Sequence, residues 1–438
     1  MIEIIPMIVM VALFILIILG VVIKRLNKTI ISVIAGIITI IFLIGWYAYS
    51  FTDSLFLMVG GAELSYLKLF MLIIGMNIIT IVLYESGVFQ FITLKTIKFT
   101  KGKVWRMLLI FALVTVLISS IISNLLTIFV IVPITVMFCS IFKIDAEPYI
   151  ILEAIVVNIG GLITLISSNL NILVCNIFSI TFGQFFVYFA PLGFILIFIT
   201  ILLAYFLLHK KLQKPSEKYV RYLEEFDPWS IVKDKKQFYK AIIIFIATII
   251  GFILFSDYLG LISIISAMLM LLFVVKDKKK GFESIKMSTI LYFAGIFLTL
   301  EGLKISGLFT LLGTSLSIIL PENILIISLI ILWISAFASA PVANIPIALA
   351  LSPIIQKLVS LPFVGEKYKT TLVTSLILGA NLGDNLFPAG DNIIFIDISE
   401  QNGQKLSFKK FFIVGFLISI VHLVIASFYL LLLINIIR

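Results

Sequence analysis

Apolar runs about twenty residues long follow one another along almost the whole chain, and few folds can absorb them. About 18 uncharged residues in a row are the length of a helix that crosses a hydrocarbon core. Inside lipid the backbone must satisfy its own hydrogen bonds, so such runs become helices packed on helices. Of the 438 residues, 62% are hydrophobic and only 12% charged, well beyond the roughly 45–50% apolar content of soluble domains. The sequence therefore predicts an all-α polytopic membrane protein seated in a lipid bilayer. Crossings are expected near 4–23, 29–49, 64–84, 148–181, 185–208, 240–257, 259–275, 288–303, 370–399 and 411–436. Two further runs, 107–142 and 324–360, are interrupted midway and read as re-entrant hairpins.

Charge orients these spans. The net charge of +10 is spread over short segments between apolar runs, a pattern that argues against nucleic acid as a partner. If both hairpins return to their own side, 26 of the 32 Lys and Arg residues fall on one side of the membrane. The positive-inside rule makes that side cytoplasmic and puts both termini outside. Lys24, Arg25 and Lys28 follow the first run rather than precede it, so the run reads as a retained span of a multi-pass cell-membrane protein. Cys139, Cys175, His209 and His422 stand apart from one another, with no disulfide frame or metal spacing. No P-loop, HExxH or Ser/His/Asp pattern is visible, so no enzyme is expected, and transport would draw on ion gradients or a separate ATPase subunit.

The chain repeats itself. Gly75, Gly87, Asn124 and Pro133 recur 220 residues later as Gly295, Gly307, Asn344 and Pro353. Asn158-Ile159-Gly160 returns as Asn381-Leu382-Gly383 and Asn169 as Asn392, at a shift of 223. Phe182, Phe185 and Phe186 return as Phe408, Phe411 and Phe412 at 226. In the charge-derived topology the matched spans run in opposite directions, so the repeats are inverted-topology repeats, each with a re-entrant hairpin and a broken transmembrane helix. The organisation is then N-terminal spans (1–60), repeat 1 (61–208), a cytoplasmic linker (209–239), linking spans (240–280) and repeat 2 (281–438).

Four polar interruptions fall at repeat-related places: the hairpin tips Ser123–Thr127 and Pro341–Pro346, and the breaks 158–171 and 381–394. Any one Asn or Gly could simply pack helices; four in register point to a shared site. Broken helices offer free N–H groups to anions and free carbonyls to Na⁺. Candidate solute ligands are Ser123, Asn124, Thr127, Asn158, Gly160, Ser167, Ser168, Asn169, Asn171, Asn344, Asn381, Gly383, Asn385 and Asn392. Asp384, Asp391 and Glu153 are candidates for a coupling ion or proton, and Asn124, Asn158, Asn344, Asn381 and Asp384 offer oxygens for Na⁺. No Lys, Arg or His falls in the four interruptions.

The stretches at 72–89, 123–133, 158–174, 291–309 and 380–392 resemble the arsenical-pump permease and NhaD-type sodium/proton antiporter family. That family belongs to the ion transporter superfamily, with the citrate and dicarboxylate carriers and the melanosomal P protein. The resemblance implies a scaffold part, a moving part and a homodimer working as an elevator. It also matches the hairpin-tip Asn to Asn124 and Asn344, and the broken-helix Asn-x-Gly to Asn158/Gly160 and Asn381/Gly383. The chain departs from the family pattern at Ser123 and Ala343, where Asp is usual, and at 167–171, which reads Ser-Ser-Asn-Leu-Asn. It adds Asp384 and Asp391. The function expected is secondary transport of a small anion or oxyanion-like solute coupled to Na⁺ or H⁺, with no other cofactor. A Na⁺/H⁺ antiporter, a channel and a permease subunit of a pump remain open.

Overall fold

The computed structural model describes residues 4–22, 27–58, 65–101, 103–215, 225, 227–275, 287–308, 311, 315, 321–342, 344–387 and 392–437. Among these the regular structure is helical throughout, with no strand. In chain order the helices are α1 (Ile4–Val22), α2 (Lys28–Tyr47), α3 (Phe51–Met58), α4 (Ser65–Glu85), α5 (Val88–Ile97), α6 (Val104–Ser119), α7 (Asn124–Phe142), α8 (Glu147–Gly160), α9 (Asn169–Ile177) and α10 (Phe182–Leu208). After the polar segment come α11 (Lys235–Leu254), α12 (Leu259–Phe273), α13 (Met287–Ile305), α14 (Ile324–Val342), α15 (Asn344–Val359), α16 (Lys369–Gly383), α17 (Asn392–Gln401) and α18 (Phe408–Ile437).

Six of them, α2, α4, α10, α11, α14 and α18, are long and apolar enough on their own to cross a membrane. Their outer faces are bare hydrocarbon: Phe198 is 69% exposed and Phe428 66%. A water-soluble surface rarely tolerates such a belt, whereas lipid favours it. The centre is made differently. Every residue of α8, and every residue of α16 from Thr371 to Gly383, is buried. Both helices are apolar around most of their circumference, as a helix enclosed by others must be.

Local chemistry sets the ends. Pro148 sits in the first turn of α8, where its missing N–H costs nothing. Thr181 and Gln184 form a capping box that starts α10. Lys143 closes α7 in a left-handed conformation, φ +56°. Gly160 and Gly383, at the ends of α8 and α16, let α6 and α14 approach closely: a Cβ on Gly160 would lie 1.7 Å from Ser119 Oγ, and one on Gly383 2.3 Å from the Ala336 carbonyl.

Packing follows the sequence repeat. α6 packs on α8 as α14 packs on α16; α10 covers α8 and α6 as α18 covers α16 and α14. Across the halves, α7 meets α17 and α15 meets α9. The spans outside the matched motifs, α2 and α12, pack on the matched α13 and α4. Gly75 and Gly295 make those last two contacts: a Cβ would meet Ser263 Oγ at 2.6 Å and the Ser32 carbonyl at 2.1 Å. Ser263 hydrogen-bonds the Met71 carbonyl, and Ser32 the Tyr292 carbonyl. We expect Gly295→Ala to destabilise by about 1–3 kcal/mol through overpacking. Gly45→Ala, with nothing within 4 Å, should be neutral or stabilising; detergent-phase thermal unfolding distinguishes them.

The second hairpin tip differs from expectation. Pro341 lies inside the last turn of α14 and Pro346 in the first turn of α15, so helix extends into the 341–346 interruption from both sides. The first tip is a looser turn over 120–123.

Candidate functional site

Past Gly160, α8 tightens into turns, with Leu162 N–H donating to the Ile159 carbonyl and Ile163 N–H to that of Gly160, and side chains then take the carbonyls that follow. Ser167 Oγ donates to the carbonyls of Gly161 (2.8 Å) and Thr164 (2.5 Å), and Thr164 Oγ1 donates to the Ser120 carbonyl in the first hairpin tip. Asn171, in the first turn of α9, reaches back with Nδ2 to the Gly161 carbonyl at 2.5 Å. Its orientation is thereby fixed, since only the NH₂ can face a carbonyl. Asn171 Oδ1 then accepts from Asn381 Nδ2 of α16 at 3.2 Å. One break is thus tied to the helix that precedes the other.

A second chain of amides makes the return connection. Asn385 Nδ2 donates to the Ile155 carbonyl of α8 at 3.1 Å, leaving its Oδ1 to accept from Asn158 Nδ2 (2.7 Å) and Asn392 Nδ2 (3.2 Å). Asn158 Oδ1 accepts in turn from Asn124 Nδ2 at 2.7 Å. Asn392 Nδ2 also donates to the Asp384 carbonyl, 2.6 Å away. The Asp384 carboxylate accepts from Ser339 Oγ (2.9 Å) and from Asn344 Nδ2 of the second tip (3.0 Å). All four interruptions therefore meet in one buried hydrogen-bonded cluster.

The arrangement has a surplus of acceptors. Backbone carbonyls fix the amide of Asn171, Asn381, Asn385 and Asn392, and Asn385 in turn fixes Asn158 and then Asn124. In that orientation Oδ1 of Asn124, Asn381 and Asn392 receives no hydrogen bond from any described residue, although these residues are 4%, 0% and 1% exposed. A buried acceptor left unmade costs about 1–3 kcal/mol. Unmade acceptors of this kind, in a region that also holds the Asp384 carboxylate, suit a donor or a hard cation. The donor set is amide, hydroxyl and carboxylate; among the described residues no three His, Cys, Asp or Glu side chains cluster. Na⁺ fits this chemistry.

The other candidates sort cleanly. Gly160, Gly383 and Ser167 shape the breaks. The Thr127 hydroxyl is turned to the Ser123 carbonyl of its own helix start. Among the described residues no side-chain hydrogen bond joins Ser123, Ser168 or Asn169 to the cluster. Glu153 is fully buried on α8 and accepts from Thr135 Oγ1 at 2.5 Å, apart from the amide chain. Asp391 lies outside the described residues. Ser339 was not among the sequence candidates, yet it holds Asp384; its signal was Ser119, 220 residues earlier and likewise five residues before a tip Asn. The buried pair of His422 Nε2 and Thr200 Oγ1, 2.7 Å apart, joins α18 to α10 at a sequence separation of 222.

Outside the cluster, Glu147 accepts from Lys410 Nζ (2.5 Å) and from the Ser407 N–H (2.8 Å), tying the start of α8 to the start of α18. Lys410 is 43% exposed, so solvent screens the pair. We expect Glu147→Gln to lower stability by no more than about 1–2 kcal/mol, measured by urea-induced unfolding.

Residues 1–363 match the model of a family described as citrate transporter. An uncharacterized transporter of Mycobacterium tuberculosis is 27% identical over 82% of this chain and 84% of its own length. A 46 kDa membrane protein of Mycobacterium leprae is 26% identical with the same coverage. The P protein of Homo sapiens is 26% identical, and the match spans 52% of its length. The chain belongs to the citrate transporter family and is a multi-pass membrane transporter, not an enzyme.

Proposed function

We propose that the protein is a secondary active transporter that carries a small carboxylate or oxyanion-like solute together with Na⁺ or H⁺. The observation that carries this reading is the acceptor surplus in the four interruptions: the Oδ1 atoms of Asn124, Asn381 and Asn392 receive no hydrogen bond from a described residue, and the second break adds the Asp384 carboxylate. A coupling cation held there lends positive charge to a cluster that has no basic side chain among its described members. The solute then binds against that cation and the starts of α7, α9, α15 and α17, whose N–H groups favour negative charge. The family's description names citrate, which fits a carboxylate class. The cluster's position between sequence-matched halves suits inverted repeats and alternating access by an elevator-like movement, in a homodimer, with both termini outside. Kinship to the arsenical-pump and NhaD-type branch is part of the same proposal.

The absence of Lys, Arg and His from the four interruptions favours one rival, a Na⁺/H⁺ antiporter using the carboxylates of Asp384 and Asp391. Counterflow separates the two. Proteoliposomes preloaded with unlabelled citrate should accumulate labelled citrate transiently and saturably. An antiporter would instead move protons on a Na⁺ pulse without exchanging citrate, and a channel would show neither saturation nor counterflow.

A further inference from the structure

A cavity of about 340 Å³ opens where α4, α10 and α12 begin, and the first break forms part of its lining. Its volume lies within the roughly 300–1,000 Å³ of small-molecule sites. One wall is α4 and the α11–α12 corner, with Lys68 and Asp257. The facing wall is the end of α9 and the turn after it, with Asn176, Ser179 and Thr181. Its apolar part includes Leu165, Ile172 and Cys175, which line or follow the first break. The cavity thus joins exposed charged residues to the rear of the broken helix. Among the described residues no ion pair joins Lys68 to Asp257.

We propose that this cavity is an external vestibule in which a small carboxylate solute first binds, with Lys68 as its cationic ligand and Asp257 limiting its net positive potential. The inference rests on the anion-transport reading above. It answers a need that reading leaves open: the cluster has no basic side chain among its described residues, so a basic residue on the approach concentrates the anion. The polar wall of Asn176 and Ser179 supplies uncharged hydrogen-bonding groups. The charge-derived topology puts the starts of α4, α10 and α12 on the outside.

The test uses the full chain with Cys139→Ala, Cys175→Ala and Asn176→Cys, labelled in intact cells by impermeant thiosulfonates. The ratio of sulfonate to trimethylammonium labelling rates, each divided by that reagent's rate with a free thiol, reads the local potential. Adding Lys68→Gln should cut that ratio about tenfold, and adding Asp257→Asn should raise it. In the otherwise native protein, Lys68→Gln should raise KM for citrate about tenfold with kcat kept, and Lys68→Arg should restore it. No labelling from outside, a ratio indifferent to Lys68, or an unchanged KM would each overturn the proposal. If the native protein moves no citrate, the transport reading fails, and the labelling ratio alone decides the vestibule.

Discussion

Replacing Asp384 by Asn is expected to cut gradient-driven uptake about 100-fold while leaving the protein folded. The folding half of that expectation comes from the local geometry. Ser339 Oγ lies 2.8 Å from the Ala380 carbonyl as well as 2.9 Å from the Asp384 carboxylate. An amide at 384 could therefore turn its NH₂ to Ser339, whose hydroxyl would donate to Ala380, while its oxygen keeps accepting from Asn344 Nδ2. Among the described hydrogen bonds no buried group is orphaned. What disappears is the carboxylate charge among the described members of the cluster, and with it the strongest ligand for Na⁺ or H⁺. A 100-fold loss corresponds to about 2.7 kcal/mol, modest for removing a charge from a buried ion site. Normal yield and unfolding temperature with collapsed uptake is the expected pair of results. Unchanged uptake would place the coupling site elsewhere.

Asn385→Leu should do the opposite and damage the fold itself. Asn385 donates to the Ile155 carbonyl and accepts from both Asn158 and Asn392. It is the junction between the second break and the helix that leads into the first. A leucine, branched like asparagine but apolar, leaves Asn158 Nδ2 buried without its Asn385 acceptor and frees the orientation of Asn124 behind it. One orphaned donor costs about 1–3 kcal/mol, and networks lose more than single bonds suggest, so the total expected is about 3–5 kcal/mol. Asn402→Ala is the control, because among the described residues that amide reaches only the Ile398 carbonyl and Asn402 is exposed; its effect should stay within about 0.5 kcal/mol. Equilibrium unfolding in detergent measures both.

Much of this site is written in the sequence, and the reasons are physical. A polar interruption in an apolar run is costly in lipid, so Asn124, Asn158, Asn344 and Asn381 stand out, and their repetition at shifts of 220 and 223 makes chance an unsatisfactory account. What periodicity cannot supply is pairing. Nothing in the chain says that Asn381 reaches Asn171 rather than Asn158, or that Asn385 bonds a carbonyl 230 residues away. Ser339 was overlooked because serine in an apolar helix usually donates to its own preceding turn, as Ser335 does here. Serine at the matched position, Ser119, packs against Gly160 instead of ligating an acid, so repeat symmetry alone did not reveal the role. The spans 1–60 and 240–280 carry few polar markers, and their mirrored packing through Gly75 and Gly295 emerged only from close backbone approach. Glu153 is conspicuous as an intramembrane acid, yet its partner Thr135 lies 18 residues earlier, on the second arm of the first hairpin.

The measurement that most directly tests the central claim is labelled citrate uptake into proteoliposomes with the membrane potential clamped at zero. The account predicts saturable accumulation when an inward Na⁺ or proton gradient is imposed, and equilibration without accumulation when neither is present. Accumulation that needs no cation gradient, or flux that appears only when a potential is restored and rises linearly with citrate, would contradict it.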